Sequence, residues 1–89
     1  MDGLKNIMEE EVQFQLNRLL PTMSDICTCD KCRLDMASFA LNRLTTQYVR
    51  TDVGALYQKM NNSSKQAEVE ILTTVMNAIN TISQHPKHD

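Results

Sequence analysis

The chain has 89 residues, a formal net charge of -2 and an isoelectric point near 5.6, which disfavours broad nucleic-acid binding because that activity needs a basic face. It has no run of about 18 apolar residues, so we expect no membrane span, and its acidic start, MDGLKNIMEEE, does not resemble a signal peptide. Closely spaced cysteines without such a signal predict a reducing, cytoplasmic location. We expect one domain over residues 1–89, with a core so small that a metal, disulfides or oligomerisation must reinforce it.

Helical periodicity runs through most of the chain and predicts an all-α fold of about four helices, one of them short. Two glycines and two prolines are too few turn residues for an all-β fold. The first helix is expected from about Leu4 to Leu20, because apolar residues recur at helical spacing until Pro21 ends the pattern. Phe14 lies off this apolar stripe, so we expect this helix to be buried on two sides.

A loop that carries all the cysteines follows, and the second helix is expected from about Asp30 to Leu44. The next stretch, TTQYVRT, is rich in β-branched residues and predicts a loop or a short extended segment. A third, short helix fits about Asp52 to Met60.

Ser63, followed three residues later by Gln66, has the pattern of a capping box and predicts the start of a long C-terminal helix that reaches about Ser83. Such a helix would span roughly 30 Å. Its apolar stripe is longer than three short helices comfortably cover, although it can also be the core of a single chain. We therefore predict a homodimer, in which the second chain covers part of this stripe at Ile71, Val75, Ile79 and Ile82.

The three cysteines lie close together, as Cys27, Cys29 and Cys32, around the start of the second helix. Backbone N–H groups at a helix start stabilise thiolates, and three converging thiolates suit one zinc ion. Zinc would hold the loop between the first two helices, and it takes four ligands in a structural site. The fourth ligand stays open among five candidates, which are Asp25, Asp30, His85, His88 and a water molecule.

Two other interpretations of the cysteines compete with zinc. Cys29-x-x-Cys32 at a helix start is similar to a thioredoxin redox pair, but no βαβ pattern surrounds it. The cysteines can also be unconnected buried thiols. We expect a structural zinc and no enzyme, because the chain has neither an H-E-x-x-H motif nor a deaminase-type Glu beside a ligand pair.

A second group of polar residues lies around the segment between the second and third helices. Arg43 and Arg50 can pair with phosphates or donate two parallel hydrogen bonds to a guanine edge, and the Tyr48 ring can stack on a base. Thr51 can cap the third helix, where N–H groups can hold a phosphate. Arg43 and Thr51 are also ordinary capping residues. The other candidates are Lys5, Asn6 and Asn42, which can form hydrogen bonds to a ligand, and Gly54, where a ligand can approach the backbone closely.

The stretches CTCDKCRLDMASFALNRL and YVRTDVGALYQKM, together with the opening LKNIMEEEV, resemble the late competence development ComFB family of bacteria. The resemblance extends from about Lys5 to Ile82. It implies a small cytoplasmic helical protein that forms a symmetric homodimer, with zinc on Cys27, Cys29 and Cys32. It also implies a receptor for cyclic dinucleotides, chiefly cyclic di-GMP. The family's shared pattern falls on Lys5, Asn6, Asn42, Arg43, Tyr48, Thr51 and Gly54, and Arg50 is an additional cation of this sequence.

Two functions from different classes follow. The first is a non-enzymatic signalling adaptor, which binds cyclic di-GMP and thereby changes its contact with an unknown downstream protein. The second is a zinc-held interaction module without a nucleotide ligand, or one whose thiols sense oxidants by releasing zinc. Neither involves a nucleic-acid polymer or insertion into a membrane.

Overall fold

The computed structural model describes residues 2–86, which contain four α-helices, three of them packed around an apolar core. In chain order the elements are β1 (Lys5–Asn6), α1 (Ile7–Leu19), a 3₁₀ turn (Leu20–Thr22), α2 (Asp30–Leu41), β2 (Tyr48–Val49), α3 (Asp52–Asn62) and α4 (Lys65–Gln84). The prediction of four helices with a long last one is confirmed. Across residues 2–86, none of the helices has both the length and the apolarity needed to cross a bilayer.

A two-stranded antiparallel ribbon is the part of the fold that helical periodicity did not predict. Lys5 lies opposite Val49, and Asn6 lies opposite Tyr48. The expected extended segment within TTQYVRT is therefore confirmed, whereas the start of the first helix at Leu4 is wrong. Helix α1 begins only at Ile7, because Asn6 is its N-cap and the Asn6 Oδ1 accepts the backbone N–H of Met8 at 3.2 Å.

Helix α1 buries a single stripe and not two. Met8, Val12 and Leu16 are buried, whereas Phe14 is 60% exposed, so the expectation of burial on two sides is wrong. Helix α2 ends at Leu41, three residues earlier than predicted, although Leu44 beyond its end is still buried.

The start of α4 lies one residue later than the capping-box pattern indicated. Ser64 is the N-cap, and its Oγ accepts the backbone N–H of Ala67 at 3.3 Å. Ser63 instead closes α3, where its hydroxyl donates to the Met60 carbonyl at 2.6 Å. Two adjacent serines therefore end one helix and begin the next.

The apolar stripe of α4 is covered by the chain's own helices. Ile71, Val75 and Ile79 are 4%, 0% and 2% exposed, and Ile82 packs against the same core. The prediction that a second chain covers this stripe is wrong for Ile71, Val75 and Ile79, because α2 and α1 both pack on α4. Ile82 is half-buried, and its cover by a second chain stays a prediction. The homodimer itself stays a prediction, and it needs a different surface.

Helices α2 and α4 form the most extensive helix pair among residues 2–86. Leu44, just beyond the end of α2, lines the same small cavity as Ala67 and Ile71 near the start of α4. The two helices therefore run antiparallel, so the start of α2 and the end of α4 lie at the same end of the molecule.

Helix α3 contributes little to the core, since Asn62 is its only buried residue. Its apolar side chains face outward as one stripe at helical spacing, formed by Val53, Leu56, Tyr57 and Met60, which are 59–67% exposed. Asn62 anchors α3 to the segment before β2 through two hydrogen bonds with the Gln47 amide, at 2.8 and 2.9 Å.

Candidate metal centre and ligand site

The structure brings the three predicted thiols together. The ligand atoms of Cys27, Cys29 and Cys32 all lie within 4.8 Å of one another, close enough to hold one metal ion. Cys32 is buried in the first turn of α2, Cys29 is the exposed N-cap residue, and Cys27 lies half-buried in the preceding loop. The cysteines form no disulfide within residues 2–86.

The loop between α1 and α2 turns sharply to return Cys27 to the start of α2. After the 3₁₀ turn, the backbone N–H of Met23 still bonds to the Leu20 carbonyl at 3.1 Å. Asp25 then adopts a left-handed φ of 63°, which aspartate tolerates better than most residues. Cys29 is extended and begins α2 by accepting the N–H of Arg33 at 2.9 Å on its carbonyl.

The chemistry of this donor set fits a soft divalent cation. Burial, followed by hydrogen bonds with Cys27 and Cys29, raises the pKa of Cys32 to about 12. A buried thiol in such a group keeps its proton unless a cation displaces it, because only the thiolate is a metal ligand. Three thiolates suit zinc, which requires one further donor in a structural site.

Within residues 2–86 no fourth protein donor joins the thiols. Asp25, Asp30 and His85 are all exposed. His88, the remaining candidate from the sequence, lies outside the described residues.

Three predicted ligand-site residues line one open hollow beside the ribbon. Lys5, Arg50 and Thr51 surround a volume of about 260 Å³, together with Gly3, Leu4, Val49, Asp52 and Ala55. Thr51 is the N-cap of α3, and its Oγ1 accepts the backbone N–H of Gly54 at 3.0 Å. Two cations and a helix start therefore converge where β1, β2 and α3 meet.

Glu10 connects the Lys5 wall of this hollow to α3. The Lys5 Nζ lies 2.7 Å from the Glu10 Oε1, and the Lys59 Nζ lies 3.6 Å from the Glu10 Oε2. The hydrogen bond from Lys5, with the charges of both lysines, lowers the pKa of Glu10. The Lys5 ammonium is therefore already paired with a carboxylate, which an anionic ligand must displace.

Asn6 and Gly54 have roles in the backbone architecture. Asn6 is only 8% exposed, and its Oδ1 accepts the N–H of Met8 and that of Gln47, the latter at 2.8 Å. A Cβ at position 54 would lie 3.2 Å from the Thr51 Oγ1 and 3.6 Å from the Val49 Cβ. Glycine at this position thus lets the first turn of α3 pack closely against β2.

Asn42, Arg43 and Tyr48 lie outside the lining of the hollow. The Arg43 guanidinium stacks on the Phe39 ring, 3.5 Å from its centroid, and donates to the Phe39 carbonyl at 3.0 Å. Tyr48 is 60% exposed and follows the strand alternation, so its side chain leaves the ribbon on the face opposite to that of Val49. None of these three residues therefore lines the hollow with Lys5 and Arg50.

Sequence reasoning missed the side chains that position this site. Gln47 and Asn62 pair across the base of the ribbon, and Gln47 also bonds to Asn6 through its backbone. Both amides lie in polar stretches without periodicity, so no local pattern distinguishes them from loop residues. Glu10 lies in the acidic first turn of α1, where its charge suits the helix dipole, and this position gives no sign of its pairing with Lys5.

Comparison with known proteins agrees with the earlier resemblance. The profile of the family described as "Late competence development protein ComFB" matches residues 5–86. A solved structure of the late competence protein ComFB from Bacillus subtilis superimposes with a TM-score of 0.84 at 25% identity, covering 94% of this chain and 92% of that one. No curated protein sequence matches significantly. The chain belongs to the ComFB family.

Proposed function

We propose that this protein is a non-enzymatic cytoplasmic receptor for cyclic di-GMP, with a structural zinc on Cys27, Cys29 and Cys32. The observation that carries the ligand assignment is the hollow where Lys5 and Arg50 meet the start of α3. The cytoplasmic location is supported by three clustered thiols without a disulfide among residues 2–86.

The hollow has the chemistry that a guanine dinucleotide requires. Lys5 and Arg50 supply positive charge for a phosphate, and Arg50 can donate two parallel hydrogen bonds. Asp52, in the same lining, supplies an acceptor for the N–H donors of a guanine edge. Asn42, Arg43 and Tyr48 are assigned to the ligand from the family resemblance, and Asn6 and Gly54 support the site through the backbone.

A homodimer is part of the proposal, with α3 as its contact surface. The outward stripe of α3 exposes four large apolar side chains, a pattern that normally marks an interface. Helix α3 begins at the hollow, since Thr51 and Asp52 line it. A twofold-symmetric ligand such as cyclic di-GMP suits two equivalent chains that meet beside it.

The cysteine cluster favours a second candidate, a zinc-held interaction module or thiol sensor that binds no nucleotide. Cys29 is exposed and lies beside two further thiols, so oxidants can reach the group and release a bound zinc ion. This candidate also leaves α3 as the contact surface for a protein partner.

Calorimetric titration with cyclic di-GMP, cyclic di-AMP and GTP separates the two candidates. The receptor proposal predicts saturable heat with cyclic di-GMP and weaker or no heat with GTP, which carries no second guanine. Absence of heat with every nucleotide at high concentration would reject the receptor and leave the interaction module.

A further inference from the structure

The group of three thiols is one ligand short of a structural zinc site. Closed zinc sites take four ligands, commonly as Cys₄, Cys₃His or Cys₂His₂. Within residues 2–86 the thiols of Cys27, Cys29 and Cys32 form the whole group. A fourth donor therefore comes from a side chain that moves into place, from solvent or from a residue outside 2–86.

The antiparallel packing of α2 and α4 brings the end of α4 to the cysteines. Leu44 and Ile71 line one small cavity between the end of α2 and the start of α4, which is separate from the candidate ligand site. At 1.5 Å per residue, Cys32 is about 14 Å back along α2 from its last residue, Leu41, and Ile82 is about 16 Å forward along α4 from Ile71. Cys32 and Ile82 also belong to the same packed core, so the last turn of α4 lies at the end of the molecule that carries the first turn of α2.

The backbone of His85 lies at the end of the α4 face that packs on the core. Ala78 is buried and Ile82 packs against the core, as Ile26 and Cys27 do from the loop. His85 follows Ile82 by three residues, which is the spacing of neighbours on one helix face. Its N–H bonds to the Ile82 carbonyl at 3.2 Å, so its backbone is still held at the helix end.

The backbone at His85 has already left the helix, which gives its side chain room to reorient. Helix α4 ends at Gln84, and His85 has φ −139° and ψ 65°. Pro86 follows and prevents the helix from continuing. The imidazole is exposed, so turning it toward the thiols breaks no buried contact.

Charge favours this imidazole over the two nearby carboxylates. Three thiolates and Zn²⁺ carry a net charge of −1, which a neutral imidazole leaves unchanged and a carboxylate would make more negative. Asp30 lies in the first turn of α2, where its charge already suits the helix dipole. Asp25 is exposed in the left-handed turn.

We propose that the imidazole of His85 completes the site as Cys₃His when zinc binds. This inference rests on the proposed zinc site and adds a role to it. The metal then joins the loop before α2, the first turn of α2 and the end of α4.

Cobalt substitution and zinc-edge X-ray absorption test the assignment on the full chain. The wild-type protein should give the intense visible bands of tetrahedral cobalt, and zinc should show three sulfur ligands near 2.3 Å and one nitrogen near 2.0–2.1 Å. H85A should lose the nitrogen and lower zinc affinity in a chelator competition by at least about tenfold, since removal of a residue that only hydrogen-bonds to a zinc ligand already has an effect of that size.

Two further variants make the outcome decisive. H88A is the matched control and should keep the wild-type spectrum and affinity, whereas H85C should restore tight binding with a spectrum shifted toward four sulfurs. Nitrogen retained in H85A, or lost in H88A, would overturn the assignment of His85. Failure of the wild type to bind either metal would instead reject the zinc site itself.

Discussion

Glu10 lies between two lysines at the edge of the candidate ligand site, so its charge should affect both the stability of the fold and the proposed binding of a ligand. Its Oε1 is 2.7 Å from the Lys5 Nζ, and its Oε2 is 3.6 Å from the Lys59 Nζ. A ligand phosphate that approaches Lys5 must compete with this carboxylate. Glu10 therefore acts as an internal counter-ion, which keeps Lys5 in place and lowers its availability.

Replacing Glu10 by glutamine should tighten cyclic di-GMP binding by about two- to fivefold, the range of a surface ion pair. Calorimetry on E10Q measures this change, and E9Q, at the exposed neighbour on α1, should leave the affinity unaltered. Weaker binding in E10Q would mean that Glu10 mainly positions Lys5.

The same substitution should alter the pH dependence of stability. The pKa of Glu10 is lowered in the folded chain from a value of 4.5, chiefly by the hydrogen bond from Lys5. The ionised carboxylate therefore stabilises the fold above about pH 4.5, and this contribution is lost as the pH falls through the lower folded value. The melting temperature of E10Q should lie slightly below that of the wild type at pH 7, and the difference should shrink as the pH is lowered below 4.5.

At the scale of elements, a chain of amides joins the ribbon, α1 and α3. The Asn6 Oδ1 accepts the Gln47 N–H, and the Gln47 side chain exchanges two hydrogen bonds with Asn62. These contacts fix the start of α1 and the end of α3 around one segment of chain. The amide chain therefore holds the ribbon against both helices.

Asn62→Ala should lower the free energy of unfolding by about 1–3 kcal/mol, because the Gln47 amide then loses both partners in a half-buried site. Urea unfolding measures the change, and N61A, at the exposed neighbouring position on α3, is the control. The double variant Q47A/N62A should lose less than the two single losses combined. Full additivity would show that the two amides do not act as a pair.

The outward stripe of α3 is the element that the proposed dimer requires. Leu56→Glu should convert the dimer to a monomer of about 10.2 kDa in light scattering without unfolding it, since Leu56 is already 59% exposed within one chain. Leu34→Glu, at a side chain on α2 that is 70% exposed, should leave the dimer intact. A wild-type monomer, or dissociation by the Leu34 substitution instead, would remove α3 from this role.

Local patterns predicted the helices of this fold and the convergence of its thiols, because both depend on residues close in sequence. The ribbon was missed since Lys5 pairs with Val49, far along the chain. The stripe of α4 was identified, but periodicity does not reveal which surface covers it. Likewise, no pattern showed that Arg43 stacks on Phe39 while Lys5 and Arg50 share a hollow.

For the whole molecule, zinc should be the main reinforcement of a small core. A ligand that binds only the folded state at a hundred times its Kd adds about 2.7 kcal/mol, which shifts the melting temperature of so small a domain by on the order of 10 °C. A strong chelator should therefore lower the melting temperature of the wild type clearly and leave C29S unaffected. Purified protein without metal, with a melt indifferent to chelator, would contradict this.

The central claim is that the hollow formed by β1, β2 and α3 is the cyclic di-GMP site. Its most direct test compares the affinity of R50A with that of R18A, in which the removed arginine lies exposed in the last turn of α1. A charge-assisted hydrogen bond contributes about 1.5–3 kcal/mol, so R50A should bind about ten- to a hundredfold more weakly, and R18A should bind like the wild type. Tight binding that is the same in the wild type, R50A and R18A would contradict the claim and place the ligand elsewhere on the protein.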